Sequence, residues 1–299
     1  MPEWSPEVVV EEDLARRLIR EQFPDVEAVA LRLLGQGWDN TVWLVDERWT
    51  FRFPRRAMVI RGLENEMALL PRLASLLPLP IPNPTLLGKP SPAFQWPFYG
   101  ASFLPGRELA DAGLDDEARV DLGRPLGGFL RTLHTLTLDV DLPTDPVRRA
   151  DMTFRVPKTR ERFAELRSLD LWSAPPAAYD VIEAAAGLGP PEPTAVVHGD
   201  LHLRHLLVDD GGSPSAVIDW IDLSRNDPGV DLVLYWATLP RQGRDAFRDA
   251  YGPITEHQLL RGRILSLFLC GTLAVWGHHE GADSVKQEAL SSLARTLED

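Results

Sequence analysis

The amino-acid sequence predicts an α+β protein in which a small antiparallel sheet unit precedes a larger, mainly helical one. Three observations predict this class. Short apolar runs separated by turn residues crowd residues 28–54, a proline-dense crossing occupies 77–98, and helical periodicity dominates beyond Gly106. The expected boundary places residues 1–103 in the first unit and 104–299 in the second.

Taken in order, an amphipathic helix is expected over 6–22, where Val9, Val10, Leu14, Leu18 and Ile19 recur at helical spacing. AVALRLL, TVWLVD and WTFRFP then read as strands, divided by Gly35-Gln36-Gly37 and by Asp46-Glu47. Leu63, Met67, Leu70 and Leu73 mark a helix at 61–76. The prolines of 77–98 exclude helix, so that stretch reads as extended chain crossing the surface. A strand, PFYGASFL, closes the unit at Pro105-Gly106. Helices are expected next at 115–137, 157–170, 176–187, 229–239, 241–251, 256–280 and 283–297. They are interrupted at 195–223, where AVVHGDL, HLLVDD and SAVIDWID look like short strands and loops.

Composition narrows the function classes. Hydrophobic residues make up 44% of the chain and charged ones 25%, as in ordinary soluble proteins. No apolar run of about 18 residues suggests a membrane span, and the first residues lack the basic-then-apolar pattern of a signal peptide. Cys270 is the only cysteine, so no intrachain disulfide can form, which fits a reducing cytoplasm. A net charge of -13 argues against a nucleic-acid partner and is compatible with a cationic small molecule or with simple solubility.

The segment from His198 reads HGDLHLRHLLV and is followed by Val217-Ile218-Asp219-Trp220. Phosphoryl transfer uses an Asp as proton acceptor, a metal ligand five residues on, and a second Asp on a neighbouring strand–loop. Asp200, His205 and Asp219 occupy those positions. HLLV and SAVI flank Asp209-Asp210-Gly211-Gly212, which predicts a hairpin returning Asp219 beside Asp200. The bland alternative is that both aspartates cap turns.

HGDLHxxHLLVD followed by VIDWxDxxxxDPxxDL resembles the aminoglycoside phosphotransferase family, and its histidine variant is most similar to the macrolide phosphotransferases. The resemblance runs from Gly35 to about Trp236. It implies a two-lobed, protein-kinase-like fold and transfer of a γ-phosphate from ATP or GTP, with Mg²⁺, to a hydroxyl of an antibiotic or metabolite. It also implies Asp200 as catalytic base, Asp219 as the principal Mg²⁺ ligand and Asp231 as a brace. His205 stands where the family usually has Asn. Mg²⁺ prefers oxygen, so His205 either binds a metal weakly or contacts phosphate or Asp200 instead. His202 is expected to order the loop by hydrogen bonds, and His198 is grouped with Asp200 and Arg52 as a catalytic candidate.

The first unit should hold the nucleotide. Gly35 to Thr41 joins two strands and could cover phosphates with backbone N–H groups, Gly35 and Gly37 being its key positions. Lys89 is the first of three lysines, so the strand cation must be arginine, and Arg52 between Phe51 and Phe53 has the right alternation. Glu66 is its expected partner, with Glu64 the alternative. Ser102 to Leu104 would hold the base through the main chain. For the acceptor, Asp222, Trp220, Tyr235, Trp236 and Glu280 are the candidate contacts, with Trp276, His278 and His279 nearby in sequence. The apolar segments VLYWATLP and ILSLFLCGTLAVWGHHE favour a macrolide over an aminoglycoside. Two other readings stay open: a housekeeping metabolite kinase and a nucleotide-binding pseudokinase.

Overall fold

The computed structural model describes residues 6–37 and 39–298. The chain divides into two compact units between Leu104 and Pro105. In the first, α1 (Glu12–Gln22) begins six residues later than expected. Glu11, Glu12 and Asp13 suit a helix N-terminus, where negative charge meets the free N–H groups, whereas β-branched Val8 to Val10 do not. Val10 is instead buried in extended chain, and its carbonyl accepts from Trp43 Nε1 at 3.0 Å. The strands follow as β1 (Leu31–Gln36), β2 (Asn40–Val45) and β3 (Trp49–Pro54), then α2 (Ile60–Leu73), β4 (Pro84–Gly88) and β5 (Phe98–Ser102).

They form one antiparallel sheet ordered β1-β2-β3-β5-β4. β4 corrects the reading of 77–98 as mere crossing chain. Pro84 opens this edge strand, a position where a missing N–H breaks no ladder. Strand alternation then separates two chemistries. Phe51 and Phe53 turn to the core with Phe98, Leu18 and Ile19, and the Phe53 and Phe98 rings stack at 4.7 Å. Arg52, between them in sequence, faces the other way, where α2 lies.

The second unit opens with β6 (Arg107–Glu108), α3 (Asp116–Val120) and α4 (Gly123–Thr135). One helix was expected over 115–137. The chain breaks it at Asp121-Leu122 and places Pro125 in the first turn of α4, where its missing N–H costs nothing. α5 (Met152–Ser168) starts ahead of Pro157 because Asp151 caps it, accepting from Thr153 N at 2.9 Å. Next come α6 (Pro176–Ala186), β7 (Ala195–Val197), β8 (Leu206–Val208), β9 (Pro214–Val217) and β10 (Ser224–Asn226). β8 and β9 form the expected hairpin, and β6 extends it. β10 pairs with β7. Its Ser-Arg-Asn sequence carries no strand signal, so only the pairing defines it.

A 3-10 turn, Pro228–Asp231, and α7 (Val233–Ala237) replace the single helix expected at 229–239. α8 (Arg241–Tyr251), α9 (Glu256–Glu280) and α10 (Asp283–Thr296) complete the unit. A capping box of Thr255 and Gln258 starts α9. Among the described residues α9 is the one helix long and apolar enough to cross a membrane. It packs against α5, α6, α7 and α10, and two thirds of its most apolar window is buried in the protein. A helix that is apolar on all sides is what the centre of a helical core requires.

α4 and α8 approach most closely at Gly123 and Gly243. A Cβ on Gly123 would run into the Gly243 carbonyl, whereas one on Gly128 would meet open space. Gly123→Ala should therefore lower the unfolding free energy by about 2 kcal/mol through overpacking. Gly128→Ala should raise it by about 0.5–1 kcal/mol through the helix-interior glycine penalty. Paired denaturant melts check both signs.

Candidate active site

The site in the second unit begins where β7 ends. His198 and Gly199 turn the chain, and both backbone N–H groups donate to the buried carboxylate of Asp231, at 2.8 and 2.9 Å. His134 Nε2 lies 3.1 Å from the same carboxylate, and its Nδ1 pairs with the Tyr251 hydroxyl at 2.8 Å. Burial pushes Asp231 upward, but the His134 hydrogen bond and charge outweigh it and hold the carboxyl below its ordinary range. Gly199 has φ of 88°, and a Cβ there would collide with the Asp222 carbonyl. The turn thus admits only glycine.

His198 does not reach open space. It is fully buried, its Nδ1 accepts from Asp200 N at 3.2 Å and its Nε2 donates to the Ile218 carbonyl at 2.9 Å. Both ring nitrogens bind backbone, which corrects its grouping with the catalytic candidates: it ties the Asp200 loop to the strand leading into Asp219. Trp220, expected at the rim, is buried beneath that imidazole, 4.6 Å between centroids, and donates to the Val217 carbonyl.

His205 bridges the two aspartates. Its Nδ1 lies 2.8 Å from the Asp200 carbonyl, which can only accept, so Nδ1 carries the proton. Nε2 is then a bare lone pair, 3.4 Å from Asp219 Oδ2. Burial pushes the ring down to about 4, against the pull of Asp219, so it is neutral at pH 7. Two acceptors facing each other at this distance form a donor set suited to a divalent cation, one oxygen and one nitrogen. Asp219 holds φ at 64°, a left-handed conformation uncommon outside glycine. Potential ligand atoms of Asp200, His202 and His205 also lie within 4.8 Å of one another. His202, however, accepts from Arg204 N through Nδ1 at 3.3 Å, which leaves the proton on Nε2, facing Asp200 Oδ2 at 3.7 Å. That tautomer has no lone pair to offer at Nε2. His202 stacks on His205 at 3.7 Å between centroids, and Arg204 forks onto Glu108 at 2.7 and 3.0 Å, pinning the loop to β6.

Beside Asp200 lies a residue that no sequence signal had marked. Arg149 Nη2 is 2.6 Å from Asp200 Oδ1 and 2.8 Å from Asp222 Oδ2. Burial pulls this guanidinium's pKa down, but Asp200 and Asp222 together raise it above the ordinary value. Asp200 itself is pushed up to about 8, chiefly by burial, with Arg149 opposing and Asp222 and Asp219 adding to the rise.

In the first unit, Arg52 Nε lies 3.5 Å from Glu66 Oε2. Glu66 is fully buried and also accepts from the Tyr99 hydroxyl at 3.4 Å, whereas Glu64 is exposed. With its amide oriented to accept, Asn40 adds bonds of 2.8 and 3.1 Å to Arg52. Gly35 sits at a register shift between β1 and β2, and Gly37 N donates to the Asn40 carbonyl at 3.0 Å. Arg55 binds the Gly37 carbonyl and Arg56 pairs with Asp39, two loop anchors the sequence reading missed. Trp38 of this loop lies outside the described residues. Ser102 ends β5 exposed, and Leu104 is half-buried as the unit closes.

Two other acceptor candidates, Tyr235 and Trp236, are corrected. Tyr235 is buried against Phe247, and Trp236 is buried with its Nε1 on the Leu259 carbonyl and guanidinium groups of Arg244 and Arg263 over its ring. They build the core, so the apolarity of VLYWATLP carries no information on the acceptor. Glu280 is exposed at the end of α9 and makes no hydrogen bond or ion pair among the described residues. Trp276 stands half-buried under Arg204, 4.6 Å from its guanidinium.

A sheet unit with a paired strand cation and a helical unit with this aspartate loop define a kinase-like phosphotransferase. Residues 30–261 match the model of the phosphotransferase enzyme family, and the chain belongs to that family. An uncharacterised protein of Bacillus subtilis (strain 168), YcbJ, is 25% identical over 207 residues, and the match spans 62% of each chain. Among solved structures, the GDP complex of wild-type aminoglycoside 2'-phosphotransferase-IIIa superposes with a TM-score of 0.67 at 21% identity, covering 96% of this chain and 98% of that one. Macrolide 2'-phosphotransferase MphH from Brachybacterium faecium gives 0.59 at 20% identity, covering 94% and 98%. The shared fold is the two-lobed one the sequence resemblance implied.

Asp231→Asn should cost about 3 kcal/mol at pH 7, because it leaves a buried N–H or imidazole N–H without its charged acceptor. The folded-state pKa of Asp231 is lowered, so its contribution is fully present above the ordinary carboxylate value and fades as pH falls through the folded one. Wild-type and variant stabilities measured by denaturant melts should therefore converge below about pH 4.

Proposed function

We propose that this protein transfers the γ-phosphate of ATP or GTP to a hydroxyl of a small molecule, with Asp200 as base. The observation that carries the reading is the arrangement of Asp200, His205 and Asp219 around one backbone-fixed loop. Family membership supports the reaction type. The acceptor we infer is an antibiotic, because structural neighbours include aminoglycoside and macrolide phosphotransferases. The setting is inferred to be the cytoplasm, where the triphosphate is found.

Asp219 Oδ2 and His205 Nε2 are the donors that would hold a divalent cation, Mg²⁺ by the family's chemistry. Such a cation neutralises phosphate charge when bound. The chain's own residues supply the rest. Asp200 accepts the hydroxyl proton as the oxygen attacks phosphorus, which makes a P–O bond to the acceptor and releases the nucleoside diphosphate. Arg52, fixed by Glu66 and Asn40, supplies a fork of N–H donors for phosphate oxygens. The loop from Gly35 to Asn40 lends backbone N–H groups, and Ser102 to Leu104 the main-chain contacts for the base.

The test is nucleotide binding read by thermal shift, with and without Mg²⁺. ATP or GTP with Mg²⁺ should raise the melting temperature of the wild type. Asp219→Ala should lose that Mg²⁺-dependent increment, and His205→Asn should keep it. An undiminished increment in Asp219→Ala would remove Asp219 from the metal site, and total loss in His205→Asn would assign His205 to loop order instead.

A further inference from the structure

The segment from Pro143 to Asp151 is built to deliver one guanidinium to the proposed base. Asp145, at φ of 41°, accepts from Arg149 N at 2.6 Å, from Ala150 N, and from Asn226 Nδ2 at 3.0 Å. Asn226 belongs to β10, which pairs with β7, the strand that leads into His198. Arg225 N donates to the Pro143 carbonyl at 2.9 Å, a second tie from the start of the segment to the same strand. Arg155 binds the Val147 and Arg148 carbonyls from α5, held between the rings of Phe154 and Phe268. Arg149 is thereby held to β10 by one side-chain and one backbone bond near the start of the segment, and to α5 through Arg155.

What it occupies matters more than how it is held. Asp200 and Asp222 side chains are 18% and 17% exposed, and that of Arg149 is 13% exposed. A substrate ammonium next to the reacting hydroxyl would use such carboxylates, since a cation bound near the base needs an opposite charge there. Here one guanidinium nitrogen already touches both. Approach of an ammonium would break these pairs and leave a buried guanidinium beside a second cation.

We propose that Arg149 is a specificity-determining residue: it fills the position beside Asp200 and Asp222 that an acceptor ammonium would take, and so turns the site away from polycationic acceptors. The inference deepens the kinase reading and rests on it. The acceptor class it selects is a hydroxyl compound with little or no positive charge around the reacting oxygen. This restores, on a different observation, the preference against aminoglycosides that the apolar helices no longer carry.

The test uses kanamycin as polycation probe, titrated calorimetrically into full-length protein loaded with Mg²⁺ and a non-hydrolysable ATP or GTP analogue. Arg149→Gln should bind kanamycin at least tenfold more tightly than wild type, and Arg149→Lys, which keeps the charge, should stay within about threefold of wild type. Gain of affinity in both variants, or in neither, overturns the proposal. Should Arg149→Gln not fold, the wild type decides: per-N-acetylated kanamycin, which has lost its charges, should bind at least as tightly as kanamycin. Tenfold preference for the charged form would overturn it. Absence of nucleotide binding by the wild type would instead remove the kinase reading, so the two failures are distinguishable.

Discussion

One buried carboxylate organises the second unit. Asp231 receives the N–H groups of His198 and Gly199, the two residues that carry the chain from β7 into the Asp200 loop, and it is itself held by His134. A charged acceptor inside a protein is tolerable only where several donors converge on it, and here three do. The consequence is geometric. With Gly199 fixed in a conformation that excludes a side chain, Asp200, Asp222 and the strand before Asp219 occupy set positions. His198 repeats the device one step further, spending both ring nitrogens on backbone of the two segments it joins.

The histidines show how burial decides what a residue type can do. HGDLHLRH offers three imidazoles within eight residues, a spacing that invites thoughts of metal or proton transfer. Hydrogen bonding puts the proton on Nε2 in His198 and His202 and on Nδ1 in His205. His198 is closed off, His202 shows a proton at Nε2, and only His205 leaves a lone pair at Nε2 beside a carboxylate. Burial keeps all three pKa values below that of a free imidazole. They serve as neutral, directional groups rather than as cations. The positive charge near Asp200 comes instead from Arg149.

Much of this was legible in the sequence, and the misses have physical causes. The β8–β9 hairpin and the phase of β3 follow from alternation and turn residues, local signals that survive in one sequence. The pairing of Arg52 with Glu66 follows from that phase and the α2 period. β10 and Arg149 were invisible because both exist through contacts between segments far apart in sequence, and PVRRADM has no pattern of its own. Trp220, Tyr235 and Trp236 were misplaced for the opposite reason. Aromatic composition cannot separate a pocket wall from a core, and all three turned out to be core.

The proposed transfer depends on Asp200 taking the hydroxyl proton. The most direct measurement is the kinetics of Asp200→Asn with nucleotide, Mg²⁺ and whichever acceptor the wild type phosphorylates. A base lost from a binding-competent site should reduce kcat by about 10²–10⁴-fold while nucleotide affinity stays unchanged. A variant that retains kcat within a few-fold of wild type would contradict the account.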